Sequence, residues 1–154
     1  MNVFLEEHQK FLEQLINKKV SFILVGGYAV NYHGYNRTTG DMDILLQPSN
    51  ENYTKLFDIL EGMDFNKEDM LKLRQIDFTK TFFFHIWEPP FRIDFLNKIS
   101  GVEFTEAYSK KILAKIEGIE VPFLHINHLI LSKIATGRPQ DKADVEILNK
   151  LNGL

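Results

Sequence analysis

An apolar run that ends in two glycines constrains this chain more than any other feature of its sequence. Residues 20–25 read VSFILV, a short run rich in β-branched residues that is typical of a buried β-strand. Gly26 and Gly27 follow directly, and YAVNYHGY at 28–35 suits a helix of two turns. Glycines at such a junction let a phosphate approach the backbone beside the unpaired N–H groups of a helix N-terminus. A tight turn that requires positive φ is the alternative explanation for the glycine pair.

Two aspartates open the next strand. Residues 41–47 read DMDILLQ and follow the polar segment NRTTG. Because strand side chains alternate between faces, Asp41 and Asp43 are expected on one face, ~7 Å apart along the chain. Their mutual repulsion is relieved by a cation, and hard carboxylate oxygens suit Mg²⁺ or Mn²⁺. The alternative is a solvated strand end that carries two surface charges.

A third carboxylate lies in the apolar segment FRIDFL. Asp94 is flanked there by Ile93 and Phe95, and a charge in so apolar a strand requires a partner. Arg92, two residues earlier, shares its face and offers a salt bridge. The residues alone leave two roles open for Asp94, a salt bridge with Arg92 or membership of an acidic site.

The remaining sequence alternates helical and strand patterns. Helices are predicted near 3–18, from the N-cap Ser49 to about Gly62, at 66–75, weakly at 103–110, at 127–136 and after Pro139. Two strands are predicted to join at 88–90, and a second hairpin is predicted about Gly118. The strand of this hairpin that contains Pro122 is expected at a sheet edge. This order predicts one α/β (α+β) domain over 1–154. Its core, a mixed β-sheet flanked by helices, covers about 20–122, and a C-terminal helical tail covers about 127–151.

Composition excludes several classes of protein. The 154 residues include no cysteine, so a disulfide framework, a thiolate zinc site and a cysteine nucleophile are excluded. The net charge of −3 does not favour a dedicated nucleic-acid binder, which usually has a basic excess. No apolar run approaches the ~18 residues of a membrane span, and the acidic N-terminal segment does not suit a secretory signal. We therefore expect a cytoplasmic protein with no membrane contact.

These features together resemble the nucleotidyltransferase superfamily with the DNA polymerase β-like fold. In that family an apolar strand, a glycine pair, a short helix and an Asp-x-Asp strand are followed by a third acid on a later strand. Gly26, Gly27, Asp41, Asp43 and Asp94 match this order. Further matches to small members, which include toxin-type enzymes of abortive-infection systems, are Ala29, His33, Gly34, Arg37, Thr39, Lys133, Arg138, Asp141 and Asp144. The resemblance covers roughly residues 20–150.

The resemblance implies a metal-dependent transfer of a nucleoside monophosphate from a nucleoside triphosphate to a hydroxyl group. Asp41, Asp43 and Asp94 would be the catalytic residues and the ligands of two Mg²⁺ or Mn²⁺ ions. Nucleotide binding would involve four further residues, Gly26, Gly27, Arg37 and Lys133. Arg37 could instead hold its own loop, and Lys133 could be a solvated residue on a helix face. Asp141 is expected to cap the last helix or to pair with Arg138.

The sequence is also compatible with other functions. A haloacid dehalogenase-like phosphatase is disfavoured, because its aspartates follow a strand, whereas Asp41 and Asp43 open one; a P-loop is absent. A non-catalytic binding or regulatory module of a two-protein system, such as an antitoxin, is the alternative to an enzyme. The acceptor could be RNA, a protein or a small molecule, and a toxin role rests on family analogy. A minimal catalytic core of this length could grip its acceptor with a protein partner or in a homodimer cleft.

Overall fold

The computed structural model describes residues 4–35 and 40–154, and these contain seven helices and six strands. The helices are α1 (Glu6–Asn17), α2 (Gly26–Tyr32), α3 (Asn50–Gly62), α4 (Lys67–Arg74), α5 (Phe104–Ser109), α6 (Ile126–Thr136) and α7 (Pro139–Leu151). The strands are β1 (Phe22–Val25), β2 (Met42–Leu46), β3 (Phe83–Ile86), β4 (Ile93–Leu96), β5 (Ile112–Ile116) and β6 (Ile119–Phe123). The predicted α/β fold with a mixed sheet and a C-terminal helical tail is confirmed.

All six strands join one mixed sheet in the order β3-β4-β2-β1-β6-β5. Strand β2 lies between β1, to which it is antiparallel, and β4, to which it is parallel. The β3–β4 and β5–β6 pairs are antiparallel hairpins, as predicted. This order places the ends of three central strands, β1, β2 and β4, beside one another at one side of the molecule.

One face of the sheet is packed against the first helices through aromatic and aliphatic side chains. Phe11 of α1 contacts Phe95 of β4, with their ring centroids 5.8 Å apart in an edge-to-face arrangement, and Leu12 and Leu15 are fully buried in the same core. The opposite face, which carries Val25, Asp43 and Leu96, is only partly covered by α6. The sheet therefore has one closed face and one face that opens into a cleft.

Local sequence signals set several element boundaries. The Ser49 hydroxyl accepts a hydrogen bond from the Asn52 N–H at 3.2 Å, which confirms the predicted N-cap of α3. Gly137 ends α6 in the left-handed region at φ +62°, and Pro139 begins α7, as the sequence predicted.

The prediction that Pro122 confines its strand to a sheet edge is wrong. Strand β6 lies between β1 and β5, and β5 is the edge strand. The proline is tolerated because β1 engages β6 just beyond it, through the Leu24–Phe123 pair and the hydrogen bond from the Leu124 N–H to the Leu24 carbonyl. The missing N–H of Pro122 is therefore not needed for that contact.

Among the described helices, none has both the length and the apolar character required to cross a membrane.

Candidate active site

Two aspartates meet on adjacent strands at the open face of the sheet. Asp43 of β2 is in register with Asp94 of β4, so both side chains project from the same face, with the strands ~4.8 Å apart. Asp94 is 6% exposed, whereas Asp43 is partly exposed to the cleft. The parallel register thus brings together two carboxylates that are far apart in the sequence.

Gly26 makes the closest backbone approach to this carboxylate pair. Strand β1 places Val25 opposite Asp43, and Gly26 follows at φ +64°. A Cβ atom added to Gly26 would lie 2.0 Å from Asp43 Oδ2. Glycine is therefore required here both for its left-handed conformation and for the space that the carboxylate occupies. Gly27 is the second residue of α2.

Burial and mutual repulsion perturb the carboxylate pair. Burial, together with the negative charge of Asp94, raises the pKa of Asp43 to about 7. A buried carboxyl group beside a second carboxylate is shifted toward its protonated form, because two adjacent negative charges repel each other. The site therefore disfavours a full negative charge on both acids.

Arg92 supplies a positive charge beside the pair. Its Nε donates a hydrogen bond of 2.8 Å to Asp94 Oδ1 and lies 4.0 Å from Asp41 Oδ2. The salt bridge between Arg92 and Asp94 that the sequence suggested is present. It coexists with the acidic site, since Asp94 contacts Asp43 on one side and Arg92 on the other.

The acidic side chains at the open face carry the oxygen donors that a divalent cation prefers. Within residues 4–35 and 40–154, no three His, Asp or Glu side chains are arranged as a ready-made metal cluster. Asp43 and Asp94 nonetheless offer hard oxygen donors in register on adjacent strands, and a divalent cation can offset the repulsion between them. Asp41, one residue before β2, can add a further oxygen. The donor set therefore fits Mg²⁺ or Mn²⁺.

A cleft of about 320 Å³ lies between this face of the sheet and α6. Gly26 and Asp43 line it at one end, and Lys133 of α6 and Arg138 line its wall. This volume lies at the lower end of the range for small-molecule sites. The acidic pair thus faces a concave space rather than bulk solvent.

Lys133 lies in the cleft wall, but its ammonium group is held by two buried carboxylates. Its Nζ donates a hydrogen bond of 2.7 Å to Asp144 Oδ2 and lies 3.7 Å from Asp141 Oδ1. The alternative that Lys133 is a solvated helix-face residue is wrong, because Lys133 is only 9% exposed. These contacts join α6 to α7, and the nucleotide-binding role of Lys133 stays a prediction.

Asp141 has both of the structural roles that the sequence suggested. Its carboxylate accepts hydrogen bonds from the Arg138 backbone N–H at 3.2 Å and from Arg138 Nε at 2.7 Å. The Arg138 guanidinium lowers the pKa of Asp141 to about 2. Asp141 therefore fixes the first turn of α7 at the wall of the cleft.

A buried histidine, His8, links α2 to the turn before Arg92, a role that its sequence position did not indicate. The His8 Nε2 atom lies 3.0 Å from the Phe91 carbonyl oxygen, which can only accept, so Nε2 donates and Nδ1 accepts from the Tyr28 hydroxyl at 2.9 Å. Burial lowers the pKa of His8 and favours this neutral form. Tyr28 follows the glycine pair in α2, and Phe91 precedes Arg92. His8 thus ties α2 to the turn that carries Arg92; only its periodic place in the first helix was visible in the sequence.

Of the predicted nucleotide-binding residues, Arg37 lies outside the described part of the chain, as do Thr38 and Thr39. Gly26 and Gly27 begin α2 directly after β1. Asp41 immediately precedes β2, and Asp43 and Asp94 are the second residues of β2 and β4.

Comparison with known sequences identifies the family. Residues 4–151 match the family described as nucleotidyltransferase of unknown function (DUF6036). The chain belongs to this family. The resemblance to nucleotidyltransferases that the glycine pair and the acids indicated is thereby confirmed, and the chain is a nucleotidyltransferase by family. No curated protein matches its sequence.

Solved structures of the same fold include a crystal structure of the lincosamide antibiotic adenylyltransferase LnuA with lincomycin bound. The TM-score is 0.57 at 14% sequence identity, and the match covers 98% of this chain and 99% of the LnuA chain. At this identity the similarity shows a shared fold, and it extends over essentially the full length of both chains.

Proposed function

We propose that this protein is a metal-dependent nucleotidyltransferase that moves a nucleoside monophosphate from a nucleoside triphosphate to a hydroxyl group of a small molecule. The observation that carries this proposal is the Asp43–Asp94 carboxyl pair, set beside Gly26 on the open face of a sheet. Family membership supplies the reaction class.

Gly26 and Gly27 would meet the phosphates of the triphosphate. The absence of a side chain at Gly26 lets the backbone lie directly against Asp43, so a phosphate bound at this turn would lie next to the acids. Arg37, four residues before Asp41 in the sequence, would pair with phosphate oxygens, for which a guanidinium is suited. These residues would orient the α-phosphorus toward Asp43 and Asp94.

Asp41, Asp43 and Asp94 would hold the divalent cations, two Mg²⁺ or Mn²⁺ ions by family resemblance. When bound, such ions neutralise charge on the attacking and leaving oxygens of an in-line displacement. The acceptor oxygen forms a bond to the α-phosphorus, the bond to the bridging oxygen of the β-phosphate breaks, and pyrophosphate leaves. The hydroxyl proton passes to the Asp94 carboxylate. Arg92 keeps Asp94 oriented through its 2.8 Å hydrogen bond.

A small hydroxylated acceptor agrees best with the available space. The cleft beside the acids holds about 320 Å³, and the net charge of −3 does not favour the multiple phosphate contacts of an extended RNA. LnuA, which shares the fold, is an adenylyltransferase of a small antibiotic. No feature of the described residues favours a toxin role, which rests on family analogy.

Label transfer tests the proposal. The protein is incubated with each common α-labelled ribonucleoside triphosphate, Mg²⁺ and a cell lysate, beside Asp43→Asn and the control Asp58→Asn, which changes an exposed aspartate of α3. We expect labelled product from the wild type and the control. Asp43→Asn should reduce it by about 10²-fold or more, the effect of removing a group that stabilises transition-state charge. An active Asp43→Asn variant would contradict the assignment of the acids.

A further inference from the structure

Strand β3 presents two exposed side chains on the face of the sheet that carries the acids. His85 is in register with Asp94, which is in register with Asp43, so the three side chains form a row across three strands. Phe83, two residues before His85, projects from the same face and is 58% exposed. The open face of the sheet therefore continues beyond the acids onto the edge strand.

Neither side chain has a structural task in the described part of the chain. Phe82 and Phe84, on either side of Phe83, are buried in ring clusters, but Phe83 contacts no other ring among residues 4–35 and 40–154. His85 is exposed, and no described residue hydrogen-bonds or ion-pairs with its imidazole. Phe83 lines the cleft that holds Asp43, and His85, one strand beyond Asp94, borders the neighbouring pocket beside α4.

The direction of the reaction assigns this surface to one substrate. In an in-line displacement the attacking and leaving oxygens lie on opposite sides of the phosphorus. The sheet runs from β1, which leads into Gly26, through β2 and β4 to β3. With the leaving pyrophosphate at the Gly26 end, the attacking hydroxyl must approach from the β4–β3 end, where His85 lies one strand, ~4.8 Å, beyond Asp94.

We propose that Phe83 and His85 form the acceptor subsite, and that the acceptor is a small hydroxylated molecule with an apolar face. The apolar face packs on Phe83, with Leu96 and Leu129 beside it in the same cleft. The His85 imidazole hydrogen-bonds the acceptor next to the hydroxyl that reacts at Asp94. This inference rests on the proposed function and adds to it the place and the chemistry of the second substrate.

The test separates acceptor binding from nucleotide binding. Transfer is measured with the low-molecular-weight filtrate of a cell lysate as the acceptor source, for the wild type, Phe83→Ala, His85→Gln and the control Leu71→Ala, an exposed leucine of α4. Two quantities are recorded for each protein, the amount of filtrate and the triphosphate concentration that give half-maximal transfer. Phe83→Ala should raise the filtrate requirement about tenfold, the effect of losing one buried apolar contact surface. His85→Gln, which can still hydrogen-bond, should raise it less, and Leu71→Ala should leave it unchanged.

Each other outcome has a defined meaning. If Phe83→Ala and His85→Gln need no more filtrate than the wild type for half-maximal transfer, the subsite is refuted. It is also refuted if the required triphosphate concentration rises by as large a factor as the required amount of filtrate, since the surface would then bind the nucleotide. Wild-type transfer confined to the macromolecular fraction would overturn the small-molecule class. If the wild type transfers label to no fraction of the lysate, the proposed function itself is refuted. This outcome differs from refutation of the subsite, in which the wild type still transfers label. Thermal unfolding confirms that each variant is folded, as expected for exposed positions.

Discussion

Gly26 allows the geometry of the site to be tested by the addition of one carbon atom. Its φ of +64° is a conformation that side chains disfavour, and a Cβ atom would lie 2.0 Å from Asp43 Oδ2 and 2.9 Å from Asp43 Cγ. Real Cβ atoms keep at least 3.0 Å from such neighbours, so the carboxylate oxygen must retreat by about 1 Å in Gly26→Ala. The substitution thus displaces the central acid without removing it.

Two magnitudes follow from this geometry. An alanine in the left-handed region costs about 1–2 kcal/mol of folding free energy, so the variant should still fold. A displacement of about 1 Å at a reacting centre costs about 10²-fold in rate. We therefore expect Gly26→Ala to lose far more activity than its modest loss of stability explains.

The assay pairs urea denaturation with label transfer under identical conditions. The matched control is Gly62→Ala, because Gly62 is the last residue of α3 and a Cβ atom there meets nothing within 4 Å. The control should keep full activity and gain up to about 1 kcal/mol from the better helix propensity of alanine. Wild-type transfer rates in Gly26→Ala would refute the reasoning, since they would show that Asp43 need not occupy its observed position.

Three further substitutions probe the charges and hydrogen bonds around the site. Because the folded-state pKa of Asp43 is about 7 against an ordinary value of 3.8, the folded protein retains a proton that the unfolded chain releases. The metal-free protein should therefore lose about 3 kcal/mol of stability as pH rises from 4 to 7. In Asp43→Asn, the free energy of unfolding measured by urea denaturation with a chelator should no longer fall over this pH range. A wild-type free energy of unfolding that does not change with pH would contradict the raised pKa of Asp43. Lys133→Met should destabilise the fold by about 3–5 kcal/mol, because it removes the cation from the buried carboxylate of Asp144; a loss under about 1 kcal/mol would show that the ion pair is not structural. His8→Leu should cost about 1–3 kcal/mol in the same assay, since it leaves the buried Tyr28 hydroxyl and the part-buried Phe91 carbonyl without their partner, and an unchanged denaturation midpoint would contradict that bridge.

Local patterns predicted the elements that carry the site. The apolar run, the glycine pair and the Asp-x-Asp motif are contiguous in the sequence, and each signals its own backbone conformation. Asp94 could be suspected because a lone carboxylate in an apolar strand requires a partner. The contact between Asp43 and Asp94 could not be predicted from these residues alone, because it depends on parallel pairing between strands separated by two helices and a third strand.

Tertiary packing determined what the local patterns could not. A proline within a strand usually indicates an edge strand, but the strand of Pro122 is internal because β1 pairs with it just beyond the proline, at Phe123. The side chain of Lys133 turns toward Asp144 because α6 and α7 pack together across the Gly137 turn, and a lysine on a helix carries no local sign of that direction. His8 pairs with the Phe91 carbonyl 83 residues away, which no periodicity can show. The boundaries of a single domain over 1–154 stay a prediction.

The measurement that tests the central claim most directly follows two phosphate positions of the same nucleotide. Wild-type protein is incubated with Mg²⁺, a whole cell lysate as the acceptor source and the preferred nucleoside triphosphate, labelled at either the α- or the γ-phosphate. Nucleotidyl transfer predicts that the α-label stays on the acceptor while the γ-label leaves as pyrophosphate. A γ-label on the acceptor would show phosphoryl transfer, and retention of neither label would show that the acids of this sheet do not catalyse nucleotidyl transfer.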